Sequence, residues 1–289
     1  MTTTDAQRTQ METGQGFVAA LDQSGGSTPK ALSLYGVEPS DYSGDAEMFH
    51  AMHDMRARII LADDFTSDKV LGAILFERTM DNSINGKPVA QLLWEDRGVV
   101  PFLKIDKGLE DESNGVLADL LARAKAAGIF GTKERSVIQS ANPEGIASVV
   151  AQQFAVAKTV CAAGLVPIIE PEVNIHSDSK AECETILKSE LEKHLAELSA
   201  DELVMLKVTL PETAGLYDSL ADLPNVLRVV ALSGGYSTED ACARLTQNPK
   251  MIASFSRALT EGLNVKMTDA EFNAALGQNI TKIYDASVA

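Results

Sequence analysis

Residues 203–212 read LVMLKVTLPE, an unbroken apolar run that carries one lysine, Lys207, at its middle and is closed by Pro211. Continuous apolar character, in place of strict alternation, marks a strand covered on both faces, which is the habit of parallel sheets enclosed by helices. An ammonium inside such a strand is either a stability problem or an amine used as a nucleophile, because desolvation disfavours its charge. The flanking segments decide between the two.

Seven further runs of the same kind surround it: GFVAALD (16–22), LGAILFE (71–77), VPFLKID (100–106), GIFGTKE (128–134), LVPIIEPEV (165–173), LRVVALSGG (227–235) and MIASFSRAL (251–259). Helical patterns fill the intervals. Asn142 and Pro143 open one helix in the favoured N-cap and N1 positions, with Gly164 just past its end. Thr268 and Glu271 are spaced as a capping box ahead of an apolar stripe, Phe272, Leu276, Ile280 and Ile283, which predicts a last helix packed on the outside. Eight strands alternating with helices over 289 residues, with no Pro/Gly/Ser-rich linker, predict one α/β domain, a (β/α)8 TIM barrel over 1–289 with a polar N-terminal leader and a C-terminal helix. A doubly wound open sheet is the alternative.

The chain holds 41 acidic against 25 basic residues, a net charge of −16, with no basic stripe, which argues against nucleic acid or an anionic membrane as partner. Any anionic substrate must then find local cations. The N-terminal fifteen residues lack an apolar core, and no run is read as long enough to span a bilayer, so a cytoplasmic protein is expected. Cys161, Cys183 and Cys242 are odd in number and lie in helical patterns, as reduced core thiols do. A homo-oligomer is compatible with the sequence.

In a barrel the working residues stand at the C-terminal ends of the strands. The first run ends at Asp22 and leads into a Gly/Ser loop with Ser24, Ser27 and then Lys30, a loop able to wrap an oxyanion. By the two-residue period Lys104 and Asp106 share a face and Lys107 points away. Lys133 and Arg135 also share a face, which is costly unless carboxylates or an anion meet them. Glu170 and Glu172, two apart on the next strand, supply those carboxylates and can divide acid and base work. Beside them Lys207 is placed to lose a proton and attack a carbonyl. Ser233, Gly234 and Gly235 leave the seventh strand toward a helix capped near Ser237, and Ser254 and Arg257 lie where the eighth ends, the position at which barrels often bind phosphate. Branched apolar layers would fill a purely structural interior. These residues instead predict an enzyme that acts through a lysine imine on a carbonyl compound with phosphate at both ends.

ALDQSGGS, LKIDKG, TKERSVI, VPIIEPEV, LKVTLPE, LSGGYS and SFSRAL, in this order over essentially the whole chain, resemble class I fructose-bisphosphate aldolase in its shorter bacterial form. The resemblance implies that Lys207 is the Schiff-base lysine, that Glu170 assists carbinolamine dehydration, and that Glu172 is its neighbour in the charged cluster. It implies that Asp22 and Lys133 contact the sugar hydroxyls at the bond cleaved, with Arg135 close by. It places the C1 phosphate at Ser233, Gly234 and Arg257, with Gly235 and Ser254 beside them, and the C6 phosphate near Ser24, Ser27, Lys30 and Lys104. The substrate implied is fructose 1,6-bisphosphate, cleaved in glycolysis and formed in gluconeogenesis. Tagatose or sedoheptulose bisphosphate is the alternative substrate, and a non-catalytic phosphosugar-binding barrel the alternative protein.

This chain departs from the longer animal enzymes, which have Glu at Gln23, Arg at Ala31, and Tyr and Gly at Phe255 and Ser256. Their tail also ends in a functional tyrosine, whereas here the nearest is Tyr284, five residues from the end. An imine is itself an electron sink, so no metal or other cofactor is expected. His50 and His53 share a helix face but stand away from every strand end.

Overall fold

The computed structural model describes residues 2–106 and 116–289; Lys107 lies outside them. Each of the eight apolar runs forms one strand: β1 Phe17–Leu21, β2 Val70–Leu75, β3 Val100–Lys104, β4 Gly131–Ile138, β5 Val166–Val173, β6 Val204–Thr209, β7 Val226–Leu232 and β8 Met251–Ala253. They lie in sequence order in one sheet, every adjacent pair parallel. The sheet curls until Ala20 N–H of β1 donates to Phe255 O just beyond β8 at 3.4 Å, giving the (β/α)8 barrel. A further small hairpin, Ser83–Ile84 with Lys87–Pro88, turns on Asn85 and Gly86, both at positive φ. Asn-Gly is the strongest short hairpin signal, and the period-based reading passed over it.

The inward side chains change character along the barrel axis. A buried apolar layer, with Val18, Ile74, Phe102, Ile168, Met205, Val230 and Ile252, fills the lower interior. Phe102 meets Phe130 edge-on at 5.5 Å, and a Cβ at Gly131 would stand 2.8 Å from the Phe102 ring and 2.1 Å from Val166 O, so only glycine fits there. Above this layer the same strands turn charged: Lys133, Glu170 and Lys207 are all buried.

The lower mouth is closed by the segment read as a polar leader. Residues Thr3–Thr13 form a helix capped by Thr2 and Asp5, and it drops Met11, fully buried, into the apolar layer. Gln10 Nε2 donates to Leu71 O at 2.8 Å and Gly98 O at 2.7 Å, while Arg228 donates to Met11 O and Gly14 O.

Outside, the helix Pro143–Ala162 begins as expected, with Asn142 accepting from Gly145 N–H at 3.2 Å. By length and mean hydropathy, 1.3, it could cross a bilayer, which corrects the expectation that no run could. Its apolar stripe, Ile146, Val150, Phe154, Ala157 and Val160, is buried, and the helix packs on β4, β5 and the neighbouring helix Lys180–Leu195. The high hydropathy comes largely from alanine and valine on a helix only one side of which faces the core. The last helix, Asp269–Ser287, has the predicted capping box, with Glu271 N–H donating to Thr268 Oγ1, and buries Phe272, Leu276, Ile280 and Ile283. Tyr284 is part of this packed helix. Thr268→Ala should lower stability by about 1 kcal/mol, seen as a lower denaturant midpoint at unchanged slope.

Candidate active site

Five strand ends meet in one chain of charges. Lys207 Nζ, on β6, lies 3.0 Å from Glu170 Oε1 on β5, and Glu170 Oε2 lies 2.8 Å from Lys133 Nζ on β4. Lys133 also meets Asp22 Oδ2 at 2.8 Å, just past β1, and Asp106 Oδ2 at 3.6 Å, just past β3. Asp106 Oδ1 pairs with Lys104, whose ammonium further donates to Asp106 O at 2.6 Å. Three ammonium groups therefore face three carboxylates, and Arg135 is met separately by Glu172 at 2.6 Å. That resolves the like-charge cost of Lys133 beside Arg135: each has its own carboxylate.

Burial drives the protonation states in opposite directions from the ion pairs, and the pairs win. Burial pushes Asp22 up, but Lys133, Lys207 and Lys104 hold it well below the usual carboxylate range. Burial pushes Lys133 down, but Asp22, Glu170 and Asp106 hold it well above the usual range. Lys133 is thus a fixed cation and Asp22 a fixed anion at neutral pH.

At the other side of the mouth, the loop Ser233-Gly234-Gly235 leaves β7 with Gly234 at φ +62° and Gly235 at φ +131°. A Cβ at Gly234 would stand 2.8 Å from Ile175 Cγ2, so position and conformation both require glycine. Arg257 Nη2 is 3.6 Å from where a Gly235 Cβ would be, directly over this turn. Ser254 donates its N–H to Ala231 O at 2.7 Å, while its buried Oγ has no hydrogen bond among the described residues. The helix Thr238–Leu245 follows, capped by Ser237 as predicted.

The first loop is less committed to the cluster. Ser27 Oγ donates to Ser24 O and accepts Ser24 N–H, closing a local turn, and Lys30 is exposed on the helix Ser27–Leu34. Among the described residues no ion pair joins Ser24, Ser27 or Lys30 to the central charges. His50 and His53 lie on the helix Gly44–Leu61, beside Asp54 and Ser83 O respectively.

Two groups here were not singled out as site residues from sequence. The two-residue period makes Asp106 only a partner for Lys104, yet it also reaches Lys133 and accepts Arg135 N–H at 3.0 Å. Arg56 is buried; it donates to Thr79 Oγ1 at 2.8 Å and to Gln23 O and Oε1, and Gln23 Nε2 donates to Ser256 Oγ at 2.7 Å. Burial pulls Arg56 down to about 10, opposed by nearby Asp22, so it stays charged at neutral pH. An arginine in the buried stripe Met48, Met52, Ile59 was the available signal.

An eight-stranded parallel barrel with a buried lysine and carboxylate cluster at its strand ends is a barrel enzyme. The sequence family described as "Fructose-bisphosphate aldolase class-I", among glycolytic enzymes, matches residues 4–214. A Synechocystis protein named fructose-bisphosphate aldolase class 1 is 54% identical over 286 residues, covering 96% of this chain and 95% of that protein. The fold is similar to that of a Plasmodium falciparum fructose-bisphosphate aldolase crystallised with TRAP and an inhibitor: TM-score 0.73, 22% identity, covering 99% of this chain and 95% of the other. A Corynebacterium glutamicum protein is a more distant match, TM-score 0.57 at 12% identity, over 97% and 92% of the two chains. The chain belongs to the class-I fructose-bisphosphate aldolase family.

Glu134 follows Lys133 on the opposite face of β4, and burial, then Asp106, pushes its carboxyl up to about 7. The folded state therefore holds its proton over a range where the unfolded chain, at about 4.3, has lost it, so stability falls as pH rises from about 4.3 to 7 and then levels. Glu134→Gln should flatten that fall, a difference of up to about 3 kcal/mol, measured by urea unfolding at pH 5 and pH 8.

Proposed function

We propose that this chain reversibly cleaves fructose 1,6-bisphosphate to dihydroxyacetone phosphate and glyceraldehyde 3-phosphate through an imine on Lys207. The observation that carries the proposal is the Glu170 carboxylate held between Lys207 and Lys133, at 3.0 and 2.8 Å, at the barrel mouth. Lys207 passes a proton to Glu170 and its free amine attacks the C2 ketone. Glu170 returns a proton to the carbinolamine hydroxyl, which leaves as water, and a protonated imine results.

The imine then draws in the electron pair of the C3–C4 bond as the C4 hydroxyl passes its proton to Glu170, a carboxylate again once water has left, and the aldehyde departs. Asp22 and Lys133, fixed as anion and cation, orient the hydroxyls at that bond. The remaining enamine takes a proton at C3, and water hydrolyses the imine to release the ketone product and restore Lys207. Gly234, Gly235, Ser254 and Arg257, with Ser233, hold the C1 phosphate through turn N–H groups and a guanidinium. Lys30 and Lys104, with Ser24 and Ser27, serve the C6 phosphate, and Arg135 with Glu172 lines the path between. Free Cys161, Cys183 and Cys242 fit a reducing, cytoplasmic setting.

Incubation with dihydroxyacetone phosphate and borohydride should place one reduced adduct on Lys207, mapped by peptide mass. Lys207→Met should abolish both adduct and cleavage, and Glu170→Gln should slow adduct formation by roughly a hundredfold or more. An adduct on another lysine, or cleavage surviving in Lys207→Met, would overturn the proposal.

A further inference from the structure

A second buried charge group lies outside the reacting cluster, beside the C-terminal end of β6. Lys180 opens the helix Lys180–Leu195, is 5% exposed, and pairs with Glu184 one turn on, itself 1% exposed. Neither partner is satisfied by the other alone. Lys180 Nζ donates to Leu210 O at 2.9 Å, and Glu184 Oε2 accepts Glu212 N–H at 3.0 Å, so the pair grips the backbone as it leaves β6, three to five residues beyond Lys207.

Glu212 carries the connection onward. Its Oε1 lies 3.2 Å from Lys180 Nζ and accepts the Tyr236 hydroxyl at 2.9 Å. Tyr236 directly follows Gly235, and its N–H donates to Ser233 O at 3.0 Å, closing the turn that displays Gly234 and Gly235. Arg244, from the helix Thr238–Leu245, covers the Tyr236 ring at 4.2 Å and stands 3.6 Å from Glu212 Oε1. A buried ion pair is a poor source of net stability, since desolvation offsets its attraction. What this one does is position backbone: through Glu212 and Tyr236 it joins the exit of the imine strand to the glycine turn.

We infer that Lys180, Glu184, Glu212 and Tyr236 form a positioning bridge that fixes the Ser233–Gly235 turn relative to β6, and so sets the reach from Lys207 to the phosphate of the substrate. The inference rests on the proposed phosphate role of that turn. Burial and Glu212 push the Tyr236 phenol up to about 12, so it remains a hydrogen-bond donor throughout the neutral range. Substrate binding, rather than the bond-making steps at Lys207, is the quantity the bridge controls.

Tyr236→Phe keeps the ring under Arg244 and removes only the donor; Glu212→Gln keeps the shape and removes the charge. Each should raise KM for fructose 1,6-bisphosphate by about tenfold, the weight of one hydrogen bond to a charged group, with kcat held within about twofold. The double variant should be no worse than the worse single one, as groups acting in one chain are non-additive. A purely structural role would instead lower the melting temperature and kcat at unchanged KM, and that result overturns the bridge. Arg257→Ala, measured alongside, separates the two readings. If it raises KM while Tyr236→Phe does not, the bridge fails and the phosphate turn stands; if neither moves KM, both fail.

Discussion

A single carboxylate, Glu170, stands between two buried ammonium groups, and the arrangement of the whole mouth follows from it. Removing three cations and three anions from water costs several kcal/mol per ion before any attraction is counted. Each must therefore be met at close range by an opposite charge. Lys207 has only Glu170 among the described ion pairs, whereas Lys133 also has Asp22 and Asp106. Lys133 is in consequence locked as a cation, whereas Lys207 is held by a single carboxylate. The two lysines differ in the number of carboxylates within reach.

The same accounting extends to the rim of the mouth. The central cluster is internally neutral, and further cations stand at the rim: Arg257 above the glycine turn on one side, and Lys30 on the helix Ser27–Leu34 at the other. Because the chain carries a net charge of −16, those rim cations are local exceptions in a field that otherwise repels anions. The interior below is apolar and packed by Met11 from the N-terminal helix, which leaves the charged end as the route in and out.

The eight strands were legible because each is buried on both faces, so its apolar run is continuous and needs no partner to be recognised. Lys133, Glu170 and Lys207 were legible for the converse reason, each being a charge where the pattern demands an apolar side chain. Asp106 was half legible: its two-residue spacing from Lys104 shows the face, but not that a neighbouring strand's lysine lies within reach of the same carboxylate. Arg56 and the Glu212–Tyr236 contact join segments far apart in sequence through side chains on helices and loops, where no period constrains direction. The helix Pro143–Ala162 shows the opposite failure, since mean hydropathy adds its alanines and valines without regard to the side they face.

The barrel's circumference is not uniformly laced. Seven of its junctions are ladders of parallel strands, whereas β1 and β8 are joined by the Ala20 to Phe255 bond and, above it, by the Gln23 amide reaching Ser256 from its seat on Arg56. Asp22 stands on one lip of that seam and Ser254 and Arg257 on the other. Across the upper part of the seam the mouth is thus held by one amide side chain, as a clasp holds a bracelet. Position 23 is therefore a gauge of the spacing between Asp22 and Arg257, although it is neither of them.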